Sequence, residues 1–288
     1  MTTNMLGKVC LVTGATNGIG KSTALGLARM GATVVIVGRN AERAAAAAAE
    51  IRAAATGGSV DTLLADLSAQ QEIWRLAQEF KRRYARLDVL VNNAGGWFEK
   101  REVTVDGLEM NFAYNHLAYF LLTNLLLDTL IASAPARVIN VSSMMYMGGK
   151  VDFSDLQSER GYSRAKSYSN SKLENILFTI ELSRRLAGTG VTANALHPGM
   201  VNSGFYKNDH NTGLVSKVFA AFTPLITITP EKGAETSIYL ASSPDVAGVT
   251  GKYFVDRKPA QLSREASDPD TARKLWEVSA ELAHLQPA

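Results

Sequence analysis

Short runs of β-branched and other apolar residues alternate along the chain with longer segments of helical period. Runs at 8–13, 32–37, 60–65, 87–91, 137–141 and 191–196 predict strands, and 252–255 predicts a seventh. Helices are predicted over 18–30, 41–55, 69–84, 112–132, 169–186 and 231–241, the second carried by its alanines. Parallel neighbours need crossovers of helix length, so this alternation predicts an α/β fold: a doubly wound, mostly parallel seven-stranded sheet with helices on both faces. The unbroken apolar run Thr33-Val34-Val35-Ile36-Val37 suits a strand buried on both sides. Residues 1–256 are expected to make one domain. Residues 257–288 are expected to add a packed helical extension, with Asp268 as N-cap, Pro269 in the first turn and Leu275, Trp276, Ser279 and Leu282 on one stripe.

Composition narrows the classes. The 288 residues are 46% hydrophobic and 20% charged, enough apolar material for a sizeable core and too much for disorder. The net charge of +3 is interspersed rather than blocked, which argues against a nucleic-acid face. A lone cysteine, Cys10, excludes an intramolecular disulfide and a cysteine-rich metal site, and points to a reducing, cytoplasmic setting. His116, His197, His210 and His284 lack ligand spacing, so no metal site is expected. Residues 1–8 show neither signal peptide nor membrane anchor. The most apolar run, 117–131, is interrupted by Thr123, Asn124, Asp128 and Thr129 and falls short of the roughly 20 residues of a span.

In doubly wound sheets, ligands sit beyond the carboxyl ends of the strands, so the residues there carry the candidate chemistry. After the first strand comes Thr13-Gly14-Ala15-Thr16-Asn17-Gly18-Ile19-Gly20, opening a helix. Glycines let the backbone approach a pyrophosphate, and the helix N-terminus offers N–H groups and partial positive charge. The second strand ends in Gly38-Arg39. An acid there would accept from ribose hydroxyls, whereas an arginine pairs a 2′-phosphate, so NADP(H) is expected over NAD(H). Asp66, after the third strand, suits either the adenine amino group or a helix cap. Asn92-Asn93-Ala94-Gly95 follows the fourth strand and fits either close approach to a cofactor or a ligand-free turn.

The fifth strand ends in Ser142-Ser143, and Tyr168 and Lys172 stand four residues apart. On a helix they share a face, where an ammonium lowers the pKa of a phenol and makes it usable as a general acid or base. Tyr162 and Lys166 have the same spacing. The stripe Leu173, Ile176, Leu177 and Ile180 begins right after Lys172 and places the later pair on a firm amphipathic helix, leaving Tyr162 in a loop.

Taken together, these residues resemble the short-chain dehydrogenase/reductase family. The glycine turn, Asn-Asn-Ala-Gly, the strand-end serine, Y-x-x-x-K and Pro198-Gly199 occur in that family's order across residues 5–256. Stretches 115–126, 171–198 and 230–254 are similar to its retinol dehydrogenase-like, NADP(H)-dependent branch. The resemblance implies one Rossmann-type domain with Tyr168 as catalytic acid/base and Lys172 binding the nicotinamide ribose and tuning the phenol. It implies Ser143 on the substrate oxygen and Asn115, in preference to Asn111, holding a relay water. Gly14, Thr16, Asn17, Gly18, Ile19, Gly20, Arg39, Asp66, Leu67, Asn93, Ala94, Gly95, Pro198 and Gly199 would line the cofactor, with Val201 by the ring and Ser203 near its amide. Family members often associate through the helices containing Asn115 and Tyr168, so a homodimer or homotetramer is implied.

The expected reaction is reversible reduction of a hydrophobic ketone or aldehyde to its alcohol. Trp97, Met145, Tyr146, Phe205 and Tyr206 are expected to line an apolar pocket, with about 203–230 as its cover. Gly96-Trp97, Met144-Met145-Tyr146 and a 25-residue gap between Ser143 and Tyr168 leave the substrate itself open. Two alternatives belong to other classes. A nucleotide-sensing regulator would not need serine, tyrosine, lysine and asparagine together. A nucleotide-sugar epimerase or dehydratase would need a larger substrate domain than the residues after Asp256 provide.

Overall fold

The computed structural model describes residues 4–199 and 228–285. Among them, β1 (Val9–Thr13), β2 (Thr33–Gly38), β3 (Val60–Leu64), β4 (Val89–Asn92), β5 (Ala136–Val141), β6 (Val191–Leu196), β7 (Tyr253–Val255) and β8 (Lys258–Ala260) form one sheet in the order β3-β2-β1-β4-β5-β6-β7-β8. The first seven are mutually parallel; Leu11 of β1, for example, lies opposite Val35 of β2 and Leu90 of β4. Side chains alternate between the faces: Leu11, Val35 and Val37 enter one core, while Cys10, Val12, Val34 and Ile36 enter the other. That two-sided burial is why the strands read as unbroken apolar runs.

The eighth strand was not expected, and it corrects the view of 257–288 as helical throughout. β8 pairs antiparallel with β7 through a hairpin whose two central residues, Asp256 (φ 47°) and Arg257 (φ 65°), both lie in the left-handed region. Turns of that kind usually announce themselves by Asn-Gly or Asp-Gly, and Asp-Arg does not.

Helices α1 (Gly18–Arg29), α2 (Ala41–Ala53) and α7 (Pro230–Ser242) cover one face, through Ala24, Leu27, Ala47, Ile51 and Leu240. The other carries α3 (Gln70–Arg83), α4 (Ala118–Leu125), α5 (Leu127–Ala132), α6 (Arg164–Arg185) and α8 (Pro269–Leu282). α8 begins as the sequence predicts: the Asp268 carboxylate accepts from Thr271 N at 3.2 Å. Its Trp276 meets Phe120 edge-on at 4.9 Å and stacks on Phe178 at 5.8 Å, with the Arg185 guanidinium 4.4 Å from its ring. No described helix is long and apolar enough to cross a membrane.

Two helix boundaries differ from expectation. The segment predicted as one helix over 112–132 opens with a π-helical turn, Phe112–Leu117, before α4 and α5. The buried Glu109 carboxylate starts that turn by accepting from Asn111 N at 2.9 Å and Phe112 N at 3.0 Å. α6 starts at Arg164 rather than 169, ahead of its apolar stripe.

Candidate active site

From β1 the chain winds outward to β2 and β3, then crosses back to β4 on the other side of β1. The strand order therefore reverses between β1 and β4, and a crevice opens beyond their carboxyl ends. The glycine turn lies there. Gly14 takes a left-handed φ of 63°, and a Cβ on it would come within 2.8 Å of Ala94 Cα. Asn17 precedes α1 in extended backbone with no side-chain cap, and the first turn, with Gly18, Ile19 and Gly20, contains no acid, which suits an anion. Thr16 packs over Gly38 at the end of β2.

The Asn-Asn-Ala-Gly stretch braces this turn. Asn93 Nδ2 donates to Thr13 O at 2.8 Å, and Thr13 Oγ1 accepts from Asn93 N at 2.9 Å and Ala94 N at 3.0 Å. Asn92 turns inward, donating to Asn140 Oδ1 at 2.8 Å and Thr123 Oγ1 at 2.9 Å. Thr13 was not singled out from the sequence; its place between an apolar strand and a glycine is the only signal it gives.

Arg39 and Asp66 meet at the outer end of the crevice, Nη1 to Oδ2 at 3.4 Å. Arg39 is 77% exposed and so remains available to a ligand. Asp66 Oδ1 accepts from Ser68 N at 3.0 Å and Ser68 Oγ at 2.7 Å, an Asx turn ahead of α3 rather than its N-cap, which is Ala69. Burial raises the Asp66 pKa, but the Ser68 bonds and the Arg39 charge outweigh it and hold the carboxyl below its usual range. Leu67 sends its side chain into the core.

At the inner end, β5 delivers the two serines to different tasks. Ser142 is buried and donates to Lys172 O at 2.7 Å, fixing α6 against the strand. Ser143 is half-buried, and its Oγ accepts from Met145 N at 3.2 Å at the start of a 3-10 turn, Met144–Gly148. An oxygen already accepting a backbone N–H keeps its own proton for donation.

Tyr168 and Lys172 share the inward face of α6, both buried, with Nζ 5.5 Å from the phenol ring. Nζ donates to Val141 O at 3.3 Å and stands 5.8 Å from the Tyr119 ring. Burial among strand ends and aromatic rings pushes its pKa down to about 7. The second pair does not assemble: Tyr162 precedes α6, and Lys166 is exposed.

Asn115 lies within the π-helical turn. Its Oδ1 accepts from Gly96 N at 2.7 Å and its Nδ2 donates to Gly96 O at 3.0 Å, while its own carbonyl accepts from Asn175 Nδ2 at 2.9 Å. π-Turns of this kind concentrate at functional sites because they offset a side chain and loosen a carbonyl.

Of the expected pocket residues, Trp97 is brought against Tyr168, ring to ring at 4.7 Å, with the Arg164 guanidinium 5.3 Å from the indole. Met145 is half-buried. Tyr146 corrects its assignment: it sits in the core with its ring edge-on to Tyr253 at 5.2 Å, because the 3-10 turn points it inward. Pro198 and Gly199 follow β6, with Gly199 N donating to His197 Nδ1 at 2.9 Å. Val201, Ser203, Phe205 and Tyr206, and most of the expected cover, lie outside the described residues.

These features suit a pyridine dinucleotide. Lys172 makes one hydrogen bond among the described residues and keeps further N–H groups, and a Cβ on Gly95 would crowd its Nζ at 3.3 Å, so the glycine leaves room beside the buried ammonium.

The chain is similar to known proteins in sequence and in fold. A family model described as short chain dehydrogenase matches residues 8–212. Retinol dehydrogenase 14 of Mus musculus is 45% identical over 285 residues, covering 96% of this chain and 85% of the relative. Retinol dehydrogenase 12 of Homo sapiens is 44% identical over 280 residues, covering 97% and 87%. Among solved structures, an uncharacterized protein from Mycobacterium Paratuberculosis superposes with a TM-score of 0.78 at 33% identity, covering 99% of this chain and 97% of that one. The Pseudomonas aeruginosa RhlG/NADP active-site complex superposes with a TM-score of 0.70 at 31% identity, covering 87% and 95%.

Proposed function

The chain belongs to the short-chain dehydrogenase family, in its retinol dehydrogenase-like branch, and is an oxidoreductase acting on CH–OH groups with a nicotinamide cofactor; from that premise we propose that it is NADP(H)-dependent and interconverts a hydrophobic ketone or aldehyde with its alcohol. The observation that carries this reading is Lys172: a buried ammonium four residues from Tyr168 on α6, with Gly95 beside it. A nicotinamide cofactor, when bound, would supply or take up the hydride. Tyr168 gives its proton to the carbonyl oxygen in reduction and recovers it in oxidation, while Ser143 donates to the same oxygen as charge develops on it. Lys172 holds the ribose hydroxyls. Asn115, whose carbonyl accepts from Asn175 Nδ2, would hold the relay water leading toward solvent. Association through the helices carrying Asn115 and Tyr168 has to accommodate α8, which lies over Phe120 and Phe178.

Oxidation of NADPH against a panel of aromatic, long-chain and short aldehydes and ketones tests the reading, with turnover expected for the apolar members. A panel without turnover, with NADPH still bound, would favour a nucleotide sensor. The cofactor assignment has its own test in Arg39→Ala. Losing a charge-assisted contact to a 2′-phosphate should raise the KM for NADPH about tenfold or more and leave the KM for NADH nearly unchanged; equal changes in both would remove Arg39 from the phosphate.

A further inference from the structure

Tyr162 repeats the spacing of the catalytic pair but stands outside α6, and its hydroxyl is used differently. It donates to Phe98 O at 2.6 Å and accepts from Asn111 Nδ2 at 3.1 Å. Asn111 in turn is fixed by Glu109, whose Oε1 accepts from its Nδ2 at 2.8 Å, and Asn115 Nδ2 lies 3.4 Å from Asn111 Oδ1. Asn115 holds both N and O of Gly96. The peptide groups on either side of Trp97 are thus tied by side chains to one buried π-helical turn, Gly96 through Asn115 and Phe98 through Tyr162 and Asn111. The long segment before α6 is joined to the same turn from outside: Arg101 Nε donates to Gln157 O at 2.8 Å, and Glu109 N donates to Gln157 Oε1 at 2.7 Å. Between these ties the indole of Trp97 packs tilted at 55° against the Tyr168 ring, with the Arg164 guanidinium 5.3 Å from it.

We propose that Tyr162 is a positioning residue that sets substrate selectivity. By pinning the Phe98 carbonyl to the Asn111 carboxamide, it holds Trp97 as a fixed wall beside Tyr168, on which an aromatic or otherwise planar carbonyl compound stacks. The proposal rests on the reading that Tyr168 faces the reacting oxygen. A wall already immobilised costs the substrate no ordering when it binds, whereas a wall on a free turn must be ordered each time. The hydroxyl therefore acts on substrates that lean on the indole and not on those too short to reach it.

Tyr162→Phe removes that hydroxyl and keeps the ring. KM for an aromatic aldehyde is expected to rise about tenfold, with kcat within about twofold and KM for propanal unchanged. Trp97→Ala should raise the same KM, and adding Tyr162→Phe to it should change nothing further, because the pin acts only through the wall. A readout without turnover accompanies these: the emission lost in Trp97→Phe isolates the Trp97 signal, and in Tyr162→Phe that signal should become more accessible to acrylamide. Additive effects of the two substitutions, equal rises in KM for both aldehydes, or unchanged quenching of Trp97 would each overturn the proposal. If quenching rises in a protein that reduces no carbonyl on the panel, the pin stands and the enzymatic reading above falls.

Discussion

Tyr168→Phe is expected to lower kcat by about 10³-fold while leaving the dissociation constant for NADPH, read from nicotinamide fluorescence, within about twofold of wild type. The substitution removes one hydroxyl from a ring that is buried and packed against Trp97 at 4.7 Å, so the wall of the crevice and the Lys172 ammonium behind it stay in place. What disappears is the group that exchanges a proton with the carbonyl oxygen as the hydride moves. A loss of NADPH binding as large as the loss of turnover would mean that the phenol holds the cofactor rather than moves a proton. Turnover like wild type in this variant, together with its loss in Tyr162→Phe, would transfer the acid/base role to the other tyrosine. The structure argues against that transfer, because Tyr162 spends its proton on Phe98 O and its partner by spacing, Lys166, is in solvent.

The sheet is legible in the sequence because burial on both faces writes itself as unbroken β-branched runs, and a parallel order follows from helical segments between them. The crevice is legible for the same reason: once strand ends are known, few residues compete for it. What stays hidden depends on contacts distant in sequence. The π-helical turn over Phe112–Leu117 lies inside the segment whose period reads as one helix, 112–132, and only Glu109, Gly96 and Asn175 acting on it mark where the helix widens at Asn115. The two serines that follow β5 are indistinguishable as residues; the structure sends Ser142 to Lys172 O and leaves Ser143 at the site. Tyr146 reads as pocket lining beside Ser143, yet a 3-10 turn aims it at Tyr253, a partner more than a hundred residues away. Tyr162 reads as a loop residue because no apolar stripe surrounds it, and a hydrogen bond to a backbone carbonyl 64 residues away leaves no trace in spacing.

Lys172→Met should separate stability from activity. The side chain is 3% exposed, and burial holds the ammonium at a pKa of about 7 against an ordinary 10.5. A folded pKa below the unfolded one means that the unfolded chain binds more protons between these two values, so this group makes stability rise with pH from about 7 to 10.5 and opposes folding in full below 7. Methionine has a similar reach, fills the same space among Tyr119, Tyr168 and the end of β5, and carries no charge to desolvate. The cofactor-free variant is therefore expected to unfold at higher urea than wild type at pH 6, by a margin that shrinks as pH rises through 7 toward 10. Catalysis should move the opposite way. Without N–H groups for the ribose and without positive charge beside the phenol, kcat/KM is expected to fall by about 10²- to 10⁴-fold. A variant less stable than wild type at pH 6 would show that the lysine is held by more than its bond to Val141 O, the one it makes among the described residues. A variant that is stabilised but still turns over like wild type would remove Lys172 from the chemistry, and with it the observation on which the enzymatic reading stands. The combination expected here, a more stable protein with a disabled site, is what a charge kept in the interior for function rather than for folding should produce.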